Sequence, residues 1–375
     1  MEGTRNVLSD LKLRGGWGVL GNQAISYYSY QSVLDQANYS FGGTVVQGVA
    51  PVDGANRDLI WETTETLNFG LDMGFLGNQY TLSIEGYRKL TYDILMKLPV
   101  STLYGLNAPY QNAGKVKNTG LEITAGYKLN THGWNFQVSA NAAYNKNEVM
   151  DLKNGGARIW SGKYFNQEGY AINSIGGYIA EGLFKTEEEV ANSATIPGTD
   201  TAPGDIKYRD INNDGKIDGE DRVYIGNTMP KWTFGLNLFA EWKGLDATFL
   251  FQGAADVQGY LAGPGVVGEM IGAKGKPSYM YRDCWDAETN PNGKFPRAFS
   301  SYRQNNSIYN PSSFWIVNSS YLRLKNFQLG YTLPKEWCNM MGISRIRVYY
   351  SGQNLLTFTK FDKGFDPESP EGGSS

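Results

Sequence analysis

The chain has 375 residues, 41% hydrophobic and 14% aromatic, with a formal net charge of -3, so it can bury a sizeable core but carries no electrostatic footprint for DNA or RNA. Its two cysteines, Cys284 and Cys338, exclude a disulfide framework or a cysteine-based zinc cluster and read as isolated small hydrophobes. With 25 Tyr and 46 Gly and no dominance of helix formers, the composition points to an all-β chain.

Nine long strands are expected along the chain: Leu11–Gly21, Trp61–Phe75, Tyr80–Lys97, Lys117–Leu129, Trp134–Met150, Lys231–Trp242, Leu245–Tyr260, Ser320–Leu333 and Arg345–Thr359. Each is near or above the roughly 9–11 residues that a tilted strand needs to cross a bilayer. The links after the second, fourth, sixth and eighth strands are short (Leu76–Gln79, Asn130–Gly133, Lys243–Gly244 and the longer Pro334–Ser344), whereas those after the odd-numbered strands are long. A soluble sandwich has no reason to keep every second turn tight. A transmembrane antiparallel barrel does, with short periplasmic turns and long extracellular loops.

Facial alternation agrees with that reading. Trp232, Phe234, Leu236, Leu238, Ala240 and Trp242 share one face, opposite Thr233, Gly235, Asn237 and Glu241. In Trp134–Asn145 the face carrying Trp134, Phe136, Val138 and Tyr144 opposes Asn135, Gln137, Ser139 and Asn141. A sandwich with one buried and one solvated face alternates in the same way along any single strand; alternation in most of nine strands, with loop parity, favours the barrel. The apolar set changes face near Lys325 and Asn326, which predicts a β-bulge.

The long loops hold the candidate contact residues. The first is rich in tyrosine, with Tyr27, Tyr28, Tyr30 and Tyr39, which either stack on sugar rings or peptide side chains or pack the loop on its neighbours. In the fifth, Thr186 followed by three glutamates predicts a capped short helix, and Tyr178–Lys185 is either a short strand or part of a folded loop. The seventh carries Tyr279, Tyr281, Trp285 and Trp315 and is expected to order itself over the barrel mouth.

One loop has calcium-ligand spacing. Asp210, Asn212, Asp214, the Lys216 carbonyl, Asp218 and Asp221 fall at positions 1, 3, 5, 7, 9 and 12, with Gly215 at the sharp turn. Position 12 is Asp rather than Glu, which reaches bidentate geometry less easily, and no helix pattern precedes the loop. An Asp/Asn-rich turn held by its own backbone is the alternative to a Ca2+ site. Catalysis finds no support: His132 is the only histidine and sits in an expected tight turn, so histidine-based triads and metal sites lack their parts. No stretch of about 18 apolar residues predicts a transmembrane helix, and the N-terminus lacks the regions of a signal peptide, so the chain is either cytoplasmic or a piece of something longer.

Several blocks then resemble, in order, the C-terminal barrel portion of SusC/RagA-type TonB-linked outer-membrane transporters, typical of Bacteroidetes. They are LKLRGGWGVLGNQ from Leu11, WETTETLNFGLDMGFL from Trp61, YRKLTYDIL from Tyr87, NAGKVKNTGLEI from Asn112, the segment from Gly204 through the acidic loop to Asn237, SSYLRLKNFQLGYTLP from Ser319 and IRVYYSGQNLLTFTKFDKGFDPE from Ile346. The resemblance implies outer-membrane import of glycans, oligosaccharides or peptides, energised by the TonB complex through an N-terminal plug, with a SusD-like surface lipoprotein as a lid and membrane lipid around the strands. The plug and the final strand of the family pattern are not found in this chain, which is therefore expected to be a fragment: about half a barrel, from a region that supplies roughly ten of the ~22 strands, one of them absent here. A passive porin or a surface glycan-binding adhesin is the alternative.

Overall fold

The structure, a computed structural model, describes residues 7–23, 25–261, 282–298, 310–361 and 366–368. Its strands are, in chain order, β1 (Leu8–Asn22), β2 (Leu34–Phe41), β3 (Thr44–Pro51), β4 (Glu62–Phe75), β5 (Tyr80–Lys97), β6 (Tyr110–Thr131), β7 (Trp134–Asp151), β8 (Ile159–Ser161), β9 (Tyr164–Asn166), β10 (Ser174–Gly177), β11 (Ala180–Leu183), β12 (Ile206–Tyr208), β13 (Val223–Gly226), β14 (Trp232–Trp242), β15 (Leu245–Ala255), β16 (Gln258–Tyr260), β17 (Ile316–Asn318), β18 (Tyr321–Thr332) and β19 (Arg347–Thr359). Short helices α1 (Glu187–Ala191) and α2 (Lys335–Met340), among the described residues, lie in connections.

Nine of these strands form one sheet in the order β1-β4-β5-β6-β7-β14-β15-β18-β19, and they correspond one to one with the nine expected from the sequence. β1 and β19 are its edges, so the sheet is an unclosed barrel segment. Two differences are informative. The expected strand Leu245–Tyr260 ends at Ala255, because Asp256 turns into the left-handed region (φ 55°), and the chain resumes as β16, paired with β17 outside the large sheet. The first long link contains a β2–β3 hairpin closed by Gly42 and Gly43, both with positive φ.

The chain divides into two units, residues 1–127, 143–161 and 165–172 in one, and 128–142, 162–164 and 173–375 in the other. In the first, β1 pairs β4 without interruption from Asp10↔Gly74 to Asn22↔Glu62, and β4 pairs β5 through the tight 76–79 turn. The polar face is tied across strands: the Arg14 guanidinium donates to Asp72 at 2.7 Å and to Glu85 at 2.6 Å. Gly70 stands opposite Arg14, and a Cβ there would meet the guanidinium at 2.8 Å, so the glycine makes room for the ladder.

In the second unit the turns His132–Gly133 and Lys243–Gly244 have both residues at positive φ, the geometry that matches the right-handed twist of two-residue hairpins. The expected bulge is present: against β15 the register slips between Leu250 and Phe251, leaving Lys325 as the extra residue, and against β19 it slips between Leu324 and Asn326, where Lys325 faces both Asn354 and Leu355. Arg347 donates to Asp246 and Gln328 on the polar face. The opposite face carries Ala247, Phe249 and Phe251 of β15, with the Phe249 and Phe327 rings 5.0 Å apart. Among the described residues no helix is long and apolar enough to cross a membrane, a fact without bearing on crossing by strands.

Candidate functional site

The second unit's long links fold on one another. β10 pairs β13, β11 pairs β12 and β16 pairs β17, so Tyr178–Lys185 is both a short strand and part of a folded loop. Backbone bonds join the fifth link to the seventh: Tyr178 N–H donates to the Pro311 carbonyl at 2.8 Å, Ser313 N–H to Tyr178 at 2.9 Å, and Arg297 N–H to Gly204 at 2.9 Å. Gly177 is needed for this approach, since a Cβ would lie 2.3 Å from the Pro311 oxygen. Gly204 (φ 90°) lies under the Trp285 ring in the same manner.

Ile175, Ile206, Ile217, Tyr260, Leu261, Phe295 and Trp315 fill the core enclosed by these segments. Trp315 is 0% exposed, which places it in the loop core rather than on its surface. Trp285 is also buried, and it lines an open cleft of about 760 Å³ with Arg282, Asp286 and Arg297. Tyr279 and Tyr281 lie outside the described residues. An ion pair crosses the core's edge, the half-buried Arg297 Nε to the buried Asp205 Oδ1 at 2.9 Å. Burial pushes the Asp205 carboxyl up, with the Arg297 guanidinium and the Ala202 N–H pulling the other way. Nothing in the one-dimensional pattern marks Asp205 and Arg297, 92 residues apart, as partners.

α1 begins as expected. The Thr186 hydroxyl accepts from Glu189 N–H at 3.1 Å. Glu189 reaches back to the Lys185 N–H and across to Lys207 at 3.0 Å, and these two donors lower its pKa in that order.

The acidic loop leaves this core through Ile217, which is buried and whose N–H donates to the Thr195 carbonyl at 3.0 Å. Its side chains organise the backbone. Asp210 accepts from Asn213 N–H at 2.7 Å and from Gly215 N–H at 2.8 Å, while Asp214 accepts from Lys216 N–H at 3.1 Å. Asn213 (φ 59°) and Gly215 (φ 86°) supply the sharp turn. Asp218 caps a single 3-10 turn, and Asp221, 0% exposed, accepts from Ile211 N–H and Asp218 N–H, both at 2.8 Å. Lys216 Nζ sits 2.6 Å from Asp218 and 3.4 Å from Asp214, raising the lysine pKa and lowering that of Asp218.

As a test of fit to a calcium ion, this arrangement is mixed. Asp210, Asn212, Asp214 and Asp218 surround one turn, and the bond from Gly215 to Asp210 closes the loop on itself. The lysine ammonium stands on two of the oxygens a cation would take, and both Asp221 oxygens are engaged by backbone N–H groups. Among the described residues no group of three or more His, Cys, Asp or Glu side chains is gathered to hold a metal ion.

In the first unit the tyrosine-rich loop is open. Tyr27 is 94% exposed and Tyr28 68%, the latter at φ 64°, an uncommon conformation for a bulky residue. With Tyr30, Arg57, Ile60 and Trp61 they line a cleft of about 630 Å³. Arg57 and Trp61 were not singled out by the sequence pattern, since they join the tyrosines only through the fold of the link. Ser32 Oγ donates to the Asp53 carbonyl (2.8 Å) within the first link, while Asn107 N–H donates to the Val52 carbonyl (2.8 Å) and Gly54 N–H to the Asn107 carbonyl (3.1 Å), tying the base of the hairpin to the 98–109 link.

Comparison with known proteins assigns this architecture. The family described as TonB dependent receptor-like, beta-barrel matches residues 6–355. TonB-dependent receptor P3 of Formosa agariphila is 31% identical over 374 residues, covering 97% of this chain and 36% of that protein. TonB-dependent receptor SusC of Bacteroides thetaiotaomicron is 30% identical over 402 residues, covering 98% and 36%. The solved structure of the RagAB peptide transporter aligns with a TM-score of 0.77 at 27% identity, over 97% of this chain and 38% of that one. In its "closed-closed" state the RagAB peptide importer aligns with a TM-score of 0.75 at 28% identity, over 97% and 39%. The chain thus spans a little over a third of the length of these relatives. It belongs to the TonB-dependent receptor-like β-barrel family, SusC/RagA type, and is a stretch of outer-membrane barrel.

Proposed function

We propose that this chain is the C-terminal barrel portion of a TonB-dependent importer that carries oligosaccharides or peptides across the outer membrane. The observation that carries this reading is the folded loop core, in which two long links share one interior at the long-loop end of a two-faced sheet. A pore for small solutes needs no such structure, and long links folded into one core suit the handling of a bulky cargo. Family membership supports energy coupling over the passive porin or adhesin. The plug and TonB-contacting segment belong to the rest of the protein, and a SusD-like lipoprotein would close over the loops.

Between the two cargo classes, the exposed tyrosines Tyr27, Tyr28 and Tyr30 with Trp61 favour ligands with flat faces to stack on, which both sugars and aromatic peptides offer. Uptake of fluorescent oligosaccharides and peptides of matched size, in cells carrying the whole protein with and without TonB, decides the reading. Import of one class, lost without TonB, supports it; entry of both that is indifferent to TonB, or binding without entry, overturns it.

Calcium at the 210–221 loop is part of the same proposal, in a local form. Asp210, Asn212, Asp214, the Lys216 carbonyl and Asp218 would hold the ion once the Lys216 ammonium swings out, and Asp221 would remain the backbone cap. The ion would stiffen the loop without a switching role, since the flanking segments are strands and turns. Calorimetry on the whole transporter with Ca2+, alongside Asp214→Ala, tests it: no heat in the native protein, or equal heat in the variant, removes the ion from the account.

A further inference from the structure

At the short-turn end of the second unit an apolar row crosses five strands. Trp242 pairs with Leu245, Leu245 with Tyr331 and Tyr331 with Val348, and directly opposed residues share a face. The Trp134 ring stacks on Trp242 with centroids 5.2 Å apart. All five side chains are exposed. Asp246, Gln328 and Arg347 pair on the other face at the same level, so the row faces away from the polar interior. In an outer-membrane barrel such a row meets the headgroup boundary of the bilayer.

Immediately beyond it, the connection from β18 to β19 forms α2. Trp337, Met340 and Met341 stand at i, i+3 and i+4, one side of the helix, and Ile343 follows. They are 54%, 79%, 52% and 44% exposed, while Cys338 is fully buried on the other side. A water-facing turn gains nothing from four clustered large apolar side chains.

We infer that α2 is an interfacial anchor, its Trp337, Met340, Met341 and Ile343 side lying in the phospholipid headgroup region of the leaflet at the short-turn end. Continuity with the Trp134–Trp242–Leu245–Tyr331 row carries the choice of occupant, because that row already meets lipid. The flanking cations agree: Lys335 opens the helix, Arg345 follows it, and the Lys243 ammonium lies 4.8 Å over the Trp242 ring. Cations at this depth reach lipid phosphates while apolar side chains enter the acyl boundary. The inference rests on the barrel's place in the outer membrane and is independent of what is transported.

The whole transporter in nanodiscs of phosphatidylethanolamine and phosphatidylglycerol provides the test. Met340→Cys or, should that variant fail to fold, Met341→Cys is labelled with bimane; the unsubstituted protein, whose Cys284 and Cys338 are buried, supplies the background. The expected result is a blue-shifted emission that loses intensity when the lipids carry headgroup nitroxides and stays largely intact with aqueous iodide. Adding Trp337→Ser should reduce the nitroxide quenching while the barrel keeps its heat-modifiable gel mobility. Quenching mainly by iodide, which means a water-facing helix, or indifference to both quenchers, which means cover by a protein, overturns the inference, as does unchanged nitroxide quenching in the Trp337→Ser variant.

Discussion

The nine-stranded sheet and the loop core of the second unit invert the usual arrangement of a soluble protein. In the sheet, large side chains such as Trp242, Leu245, Tyr331 and Val348 are exposed, while polar groups such as Asp246 and Arg323 are buried or paired. In the loops, Ile175, Ile217, Trp315 and Phe184 are buried completely or nearly so. The first pattern suits a wall between lipid and a polar interior; the second suits a small water-soluble fold with its own interior. The two regions of one chain are therefore written for two solvents, and a substitution should be judged by the solvent of its region.

That contrast can be broken by experiment. Trp315→Ala should have the largest effect, costing the loop core about 3–5 kcal/mol through the cavity it leaves. Hydrogen exchange over residues 173–261 should rise while exchange in β14 and β15 stays slow; equal loss in both would mean that the two regions fold as one. Phe249→Arg places a charge on the lipid side mid-strand and should cost ~2–4 kcal/mol in reversible unfolding from vesicles, with the loop core's exchange unchanged. Thr186→Ala removes the α1 cap and should cost about 1 kcal/mol, read as faster exchange of the Glu189 N–H alone.

The smallest expected effect is a pH term with two signs. Glu189 has a lowered pKa, so its contribution is present above its unfolded value of about 4.5 and is lost as pH falls through the folded value. Asp205 has a raised pKa, so it binds more protons folded than unfolded, and the core loses stability as pH rises from about 3.8 through the raised value. Glu189→Gln should remove the loss on acidification, and Asp205→Asn the loss on neutralisation. Identical pH profiles for the native protein and both variants would show that neither carboxylate is coupled to the loop fold.

Much of the sheet could be read from residue order. Period-two alternation in Trp232–Trp242, the Lys-Gly and His-Gly turns and the face change at Lys325 are local signals, and each appears where the pattern puts it. The end of β15 at Ala255 was not legible, because Asp256, Val257 and the residues to Tyr260 keep a strand-like composition and leave the sheet only to pair with β17. The same holds for the candidate contact residues. Spacing located the acidic loop and the Thr186 cap, yet could not foresee that Lys216 Nζ lies on Asp218, that Arg57 and Trp61 join Tyr28, or that Trp315 is enclosed.

What the sequence determined by itself is which strands exist, which face of each is apolar and how the alternate links differ in length, since these follow from side-chain period and turn chemistry within a few residues. What only the tertiary structure decided is how links far apart in the chain combine: Asp205 with Arg297, Tyr178 with Pro311, and the aromatic row from Trp134 to Val348 with α2 beyond it. Those pairings depend on packing between segments tens of residues apart, where burial and close approach select partners that no local period encodes.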